Sequence, residues 1–107
     1  MMDMILVHCT LPDRDTAQKI ARAVLDEHLA ACCTITQPVL SLYHWQGKVE
    51  QSEETLMLIK TVRRHFDALD ALIRKMHPYE VPEIIAHKID HASDAYGQWI
   101  ESSVRET

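Results

Sequence analysis

CTITQPVLSLYHWQGKVEQSEETLMLIKT, residues 33–61, is the stretch that decides the fold. From Cys33 to Trp45 it is rich in Thr, Ile, Val, Leu, Tyr and Trp, the residue types that fit a pleated surface. Pro38 lies inside this run, and a residue without an N–H predicts a bend, a bulge or a sheet edge there. Gln46-Gly47 predicts a tight hairpin turn. Val49 to Thr61 then predicts the returning strand, with Glu50, Glu53 and Glu54 in its first half and the apolar run Leu56-Met57-Leu58-Ile59 in its second. Both arms run near a dozen residues, against about five or six for an ordinary strand. So small a chain has trouble covering such a ribbon, and part of it is expected to pair with another chain.

Outward from the hairpin the periods are clear. Met4 to Cys9 is a nearly continuous apolar run, which predicts a short strand covered on both faces. Leu11-Pro12-Asp13 stops it. Asp13 is placed to cap a helix over 13–28, with Asp15 near the positive end of its dipole. Ala17, Ile20, Ala21, Val24, Leu25 and Leu29 form the apolar face of that helix. Val62, Phe66, Leu69, Ile73 and Met76 predict a second amphipathic helix over 63–75, ended by His77-Pro78-Tyr79. Ile84 to Ile89 reads as a fourth strand. Ser93 is placed to cap a last helix with Tyr96, Trp99, Ile100 and Val104 on one side. The order β-α-β-β-α-β plus a terminal helix predicts an α+β chain in the ferredoxin-like split βαβ arrangement.

The 107 residues are expected to make a single domain, 1–107, with a radius of gyration of roughly 13 Å. Apolar residues at 47% and charged residues at 25% are globular values and exclude a disordered chain. No apolar stretch approaches the ~18 residues of a membrane-spanning helix, and Met-Met-Asp-Met has no basic region of the kind that opens a signal peptide. Eleven Lys plus Arg against sixteen Asp plus Glu give a net charge of -5. Nucleic acid and anionic membrane, which need a basic face, are therefore not expected as partners. Three cysteines, with no Cys-x-x-Cys pair, argue against a disulfide framework and for a reducing cytoplasm.

Few residues here carry chemistry. Cys9 sits on the first strand beside His8, and strand neighbours point to opposite faces, so the two do not share one metal. Cys9 reads either as a small buried hydrophobe or as a soft donor for copper or zinc. Cys32 and Cys33 diverge if both are extended and read as packing residues. Met76 and His77 pair a thioether with an imidazole, both competent toward Cu(I), although Met76 also completes the apolar stripe. Glu50, Glu53 and Glu54 read as a solvated acidic patch. Nucleophile elbows, phosphate-cradling glycine loops and His-Glu-x-x-His are all missing, so no enzyme is expected.

Several blocks together resemble one family. These are Cys9-Thr-Leu-Pro-Asp13, Leu29-Ala-Ala-Cys32, Ser41-Leu-Tyr43-His-Trp45-Gln-Gly47-Lys48-Val-Glu50, Ile59-Lys60-Thr61, His77-Pro78-Tyr79-Glu-Val-Pro82-Glu83 and Tyr96-Gly-Gln-Trp99. In this order they are similar to the CutA divalent-cation-tolerance family, over nearly the whole chain. The resemblance implies a cytoplasmic homotrimer of ferredoxin-like subunits, PII-like in architecture, with long hairpin arms pairing between subunits. It implies Cu(II) held by a strand-one cysteine and two consecutive histidines before Pro-Tyr, and tolerance of other divalent cations. Cys9 matches the cysteine and His77 the second histidine. Met76 stands in the first histidine's place, which leaves one imidazole fewer for Cu(II) and adds a thioether suited to Cu(I).

Two functions compete at this level. One is a metal-binding trimer with Cys9, Met76 and His77 as contacts. The other is a PII-like small-molecule sensor or signalling scaffold with ligands in inter-subunit clefts, an analogy of fold. Against the second, Gln46-Gly47 is a tight turn rather than a long flexible loop. An acylphosphatase-like hydrolase lacks its glycine-rich anion loop, and an RNA binder would need aromatic sheet motifs and a basic face.

Overall fold

The computed structural model describes residues 3–107; the first two residues of the expected domain lie outside it. Among these residues the chain forms five strands and three α-helices. They are β1 Met4–Leu11, α1 Arg14–Asp26, β2 Cys32–Ile35, β3 Val39–Trp45, β4 Lys48–Val62, α2 Phe66–Met76, β5 Ile84–Lys88 and α3 Asp94–Ser103. The strands make one antiparallel sheet in the order β2-β4-β1-β5, and β3 pairs along the far half of β4. No helix among the described residues is long and apolar enough to cross a membrane.

The expected strand Cys33–Trp45 is two strands, and proline is the reason. β2 pairs with β4 as Ile35↔Met57, whereas β3 pairs with it as Val39↔Glu54. Three residues, 36 to 38, therefore face two on β4, which is a bulge of one residue. Pro38 has no N–H for the ladder, and Thr36 fills the gap. Its N–H donates to the Leu56 carbonyl at 2.9 Å, and its hydroxyl accepts from the Leu56 N–H at 3.3 Å. Beyond the bulge, β3 and the first half of β4 leave the body as a two-stranded arm. The radius of gyration is 14.4 Å and the extents are 44 × 25 × 23 Å, longer than a compact chain of this size because of that arm. At its tip Gln46 (φ 50°) and Gly47 (φ 81°) are both left-handed, which is the type I′ geometry that matches strand twist.

The helices follow their predicted faces in part, since Leu25 of α1 and Tyr96 and Trp99 of α3 are exposed. The Asp13 carboxylate accepts from the Thr16 N–H at 2.7 Å and caps α1, and that bond holds the Asp13 carboxyl below its usual range. Ala17, Ile20, Ala21 and Val24 are buried. The second helix begins later than expected: Arg63–His65 is a single 3₁₀ turn and α2 starts at Phe66. Leu69 and Ile73 are buried, but Met76 is 38% exposed, so the stripe runs off the body at its last residue. Ser93 caps α3 through its hydroxyl, which accepts from the Tyr96 N–H at 3.4 Å.

The core lies between the helices and one face of the sheet. Ile5, Val7, Cys9 and Leu11 of β1 and Met57 and Ile59 of β4 pack there against α1 and α2. A smaller cluster joins Met4 and Val62 to Ile100 and Val104 at the end of α3. The other sheet face carries Leu6, His8, Leu58, Lys60, Ile85 and His87, all at least partly exposed. The expectation that β1 is covered on both faces is thus met on one face only by this chain.

Candidate functional site

The chemistry gathers where β1 ends, the arm begins and the loop after α2 returns. The chain leaves α2 at Met76, and the His77 N–H closes the helix by donating to the Ile73 carbonyl at 2.8 Å. Pro78 then forces an extended path that turns the His77 ring inward, where it is 8% exposed. Its Nε2–H donates to the Thr10 carbonyl at 2.7 Å, and its Nδ1 accepts from the Tyr79 N–H at 3.1 Å. A carbonyl can only accept and a backbone amide can only donate, so this geometry fixes the tautomer with its proton on Nε2. The ring also lies against that of Tyr79, centroids 4.7 Å apart.

Tyr79 carries the link onward. Its hydroxyl donates to a carboxylate oxygen of Glu54 at 2.8 Å. Glu54 is the β4 residue just before the pairing with β1 starts at Thr55, at the root of the arm, and it is 7% exposed. Burial, and then the bond to Glu54, raise the Tyr79 hydroxyl well above its ordinary pKa. The expected solvated patch is corrected here. Glu50 and Glu53 are exposed, but Glu54 is tucked in with a partner. Glu54 and Tyr79 both stand out in the sequence, but nothing there pairs them. The signal for Glu54 is the alternation Glu54, Leu56, Leu58, which puts the carboxylate on the same strand face as two leucines.

Beside the clamp lies a cleft of about 770 Å³. One wall is the arm from Leu40 to Trp45, the other is the loop from Tyr79 to Glu83, and Thr10 and Glu54 form its floor. Its lining mixes the apolar side chains of Leu40, Leu42, Trp45 and Val81 with the carboxylates of Glu54, Glu80 and Glu83.

The fold brings His77 to the carbonyl of Thr10, the residue after Cys9, but the metal contacts expected from sequence do not converge as open donors. The Cys9 side chain is wholly buried in the core. Burial, aided by the carboxylates of Glu83 and Glu54 and the thiol of Cys33, pushes its pKa up to about 12. Both ring nitrogens of His77 are engaged, and Met76 sits on the surface. Among the described residues no three His, Cys, Asp or Glu side chains gather to hold a metal ion. Cys32 and Cys33 diverge as expected. Cys33 packs on the core and is also raised to about 12, chiefly by burial, while the Lys60 ammonium reaches Cys32 on the opposite face at 3.8 Å.

The family model described as CutA1 divalent ion tolerance protein matches residues 5–103. The chain belongs to this family. The divalent-cation tolerance protein CutA of Citrobacter koseri is 41% identical over 103 residues, which is 96% of this chain and 90% of that protein. The crystal structure of CutA1 from Oryza sativa superposes with a TM-score of 0.95 at 36% identity, covering 99% of this chain and 97% of the other. The periplasmic divalent cation tolerance protein CutA from Archaeoglobus fulgidus gives a TM-score of 0.92 at 31% identity, covering 95% of this chain and 99% of the other. Membership in the CutA1 family assigns the chain a general role in tolerance of divalent cations. This is a family of divalent ion tolerance proteins.

Proposed function

We propose that this protein is a cytoplasmic homotrimer of single-domain, ferredoxin-like, PII-like subunits that binds divalent cations, copper first, through Cys9, Met76 and His77. The observation that carries the reading is the double engagement of the His77 ring. A lone pair for a metal becomes available only if Nδ1 gives up the Tyr79 N–H or Nε2 gives up both Thr10 and its proton. Capture of a cation by His77 therefore loosens the loop that clamps Glu54, and the event is felt at the root of the arm. Cation binding of this kind suits a response better than simple storage. The cost is large on the sulfur side: with a pKa of about 12, holding the Cys9 thiolate at neutral pH costs roughly 7 kcal/mol, which the metal–thiolate bond has to offset. The trimer is supported by the apolar surface a lone chain leaves open, with Leu42 61% and Ile85 49% exposed. The free state of all three cysteines supports the cytoplasm.

An anaerobic copper titration of the purified protein against a competing chelator, with mass read by light scattering, tests the reading. Tight copper binding by a trimer, weakened at least tenfold by Cys9→Ser and by His77→Gln, is the expected result. Unchanged affinity in both variants overturns the site.

The cleft favours a second reading, a PII-like sensor that takes a small molecule between the arm and the Tyr79–Glu83 loop. The ligand would meet the carboxylates of Glu54 and Glu83 and the aromatic side chains of Tyr43 and Trp45. A thermal upshift with a nucleotide at millimolar concentration supports it, and no shift across nucleotides removes that ligand class.

A further inference from the structure

The pairing of β1 with β5 brings together two histidines far apart in sequence. The register sets His8 opposite Ile85 and Leu6 opposite His87. His8 and His87 are therefore diagonal neighbours on one face, and their ring centroids are 4.8 Å apart with planes tilted by 58°. That face points away from the helices and from Cys9, which lies on the opposite side of the same strand. Its other members near the pair are Leu6, Leu58 and Ile85. Two imidazoles side by side on one sheet face can offer two nitrogen lone pairs from a fixed backbone. Among the described residues, no protein hydrogen bond engages either ring, whereas the rings of His28 and His65 each have one and that of His77 has two.

We propose that His8 and His87 form a binding site for a divalent transition-metal ion such as Zn²⁺, Ni²⁺ or Cu²⁺, held by the two imidazoles on the sheet face turned away from the helices. Imidazole suits these ions. Two nitrogens on one tetrahedral ion, each at about 2.0–2.1 Å, sit roughly 3.4 Å apart. Rings with centroids 4.8 Å apart reach that spacing by side-chain rotation alone. Both histidines stand on paired strands, so the backbone is already fixed and little ordering is left to do on binding. Water or donors of a second copy laid on this face complete the coordination. The site is distinct from Cys9, Met76 and His77 and adds a second cation position to the proposed role without depending on the first.

The test is a zinc and copper titration of the full chain in four forms: wild type, His8→Leu with His87→Leu, His87→Gln, and Cys9→Ser with His77→Gln. Circular dichroism on each checks the fold, and His87→Gln serves if the leucine pair does not fold. The expected result is at least a tenfold loss of zinc affinity in the His8 and His87 variants. Copper bound to the Cys9 and His77 variant is expected to keep a two-nitrogen pattern in its electron paramagnetic resonance spectrum. Zinc affinity unchanged within twofold in the His8 and His87 variants overturns this site and leaves the first reading standing. A loss confined to those variants supports this site and removes Cys9 and His77 as metal contacts.

Discussion

The Tyr79 hydroxyl and the Glu54 carboxylate meet at 2.8 Å, joining the loop after α2 to the strand that carries the arm. Glu54 is nearly buried, so its side chain depends on that one donor. Tyr79→Phe removes the donor and leaves the carboxylate unpaired, which is expected to destabilise the protein by about 1–3 kcal/mol. The double variant Tyr79→Phe with Glu54→Leu is expected to recover part of the loss, because no charge remains stranded. Urea unfolding of the three forms measures this, and equal stability of wild type and Tyr79→Phe would refute the clamp.

Cys9 gives stability a pH dependence at the alkaline end. Its thiol is raised from an ordinary 9.0 to about 12, first by burial. The folded chain keeps this proton where the unfolded chain has lost it. The contribution is therefore complete below about pH 9 and is lost as pH climbs toward 12, up to about 4 kcal/mol in all. Cys33 and Tyr79 are shifted in the same direction, so the slopes add. Cys9→Ala is expected to flatten the fall in stability between pH 9 and 11 while leaving some of it in place. A slope identical to wild type would mean that Cys9 ionises freely in the folded state.

Gly47 offers a test of the arm's turn. A Cβ placed there meets nothing within 4 Å, yet φ is +81°. The cost of Gly47→Ala is thus backbone strain alone, about 1–2 kcal/mol. Gln46 also has a left-handed backbone, φ 50°, which asparagine tolerates better, so Gln46→Asn is expected to stabilise slightly. Thermal melts with opposite signs for the two variants would establish the I′ turn; equal signs would contradict it.

Much of this was legible in the chain because two periods carry it. The spacing from Ala17 to Val24 specifies α1, and the residue types from Cys33 to Thr61 specify a long hairpin. Pro38 marks where the ladder fails, but the one-residue slip between Ile35↔Met57 and Val39↔Glu54 depends on how Thr36 bonds to Leu56, its N–H donating and its hydroxyl accepting. Met76 fits the α2 stripe by angle, and angle does not reveal that the body ends before the helix does. Glu54 reads as one of three surface acids because its partner, Tyr79, arrives from a loop 25 residues away. His8 and His87 were only scattered histidines in the sequence, since the register of β1 with β5 is set by a crossover through the rest of the fold. Local pattern specifies elements; the site arises from pairings between elements distant in the chain.

The arm itself predicts how the protein assembles. Beyond Glu54, β4 pairs only with β3, and a two-stranded ribbon is marginal in water by itself. Leu40, Leu42 and Val49 are all more than half exposed on it. In a lone chain the side chain of Leu42→Glu would stay mostly in solvent and change stability by no more than about 0.5 kcal/mol. If another copy covers the arm, the same change buries a carboxylate against apolar surface, and the assembly weakens far more than the fold does. The expected outcome is a fall in mass by light scattering from trimer toward monomer, with a melting temperature that becomes dependent on protein concentration. A mass and melting temperature equal to wild type would mean the arm is free in solution, and the apolar residues along it would need another partner.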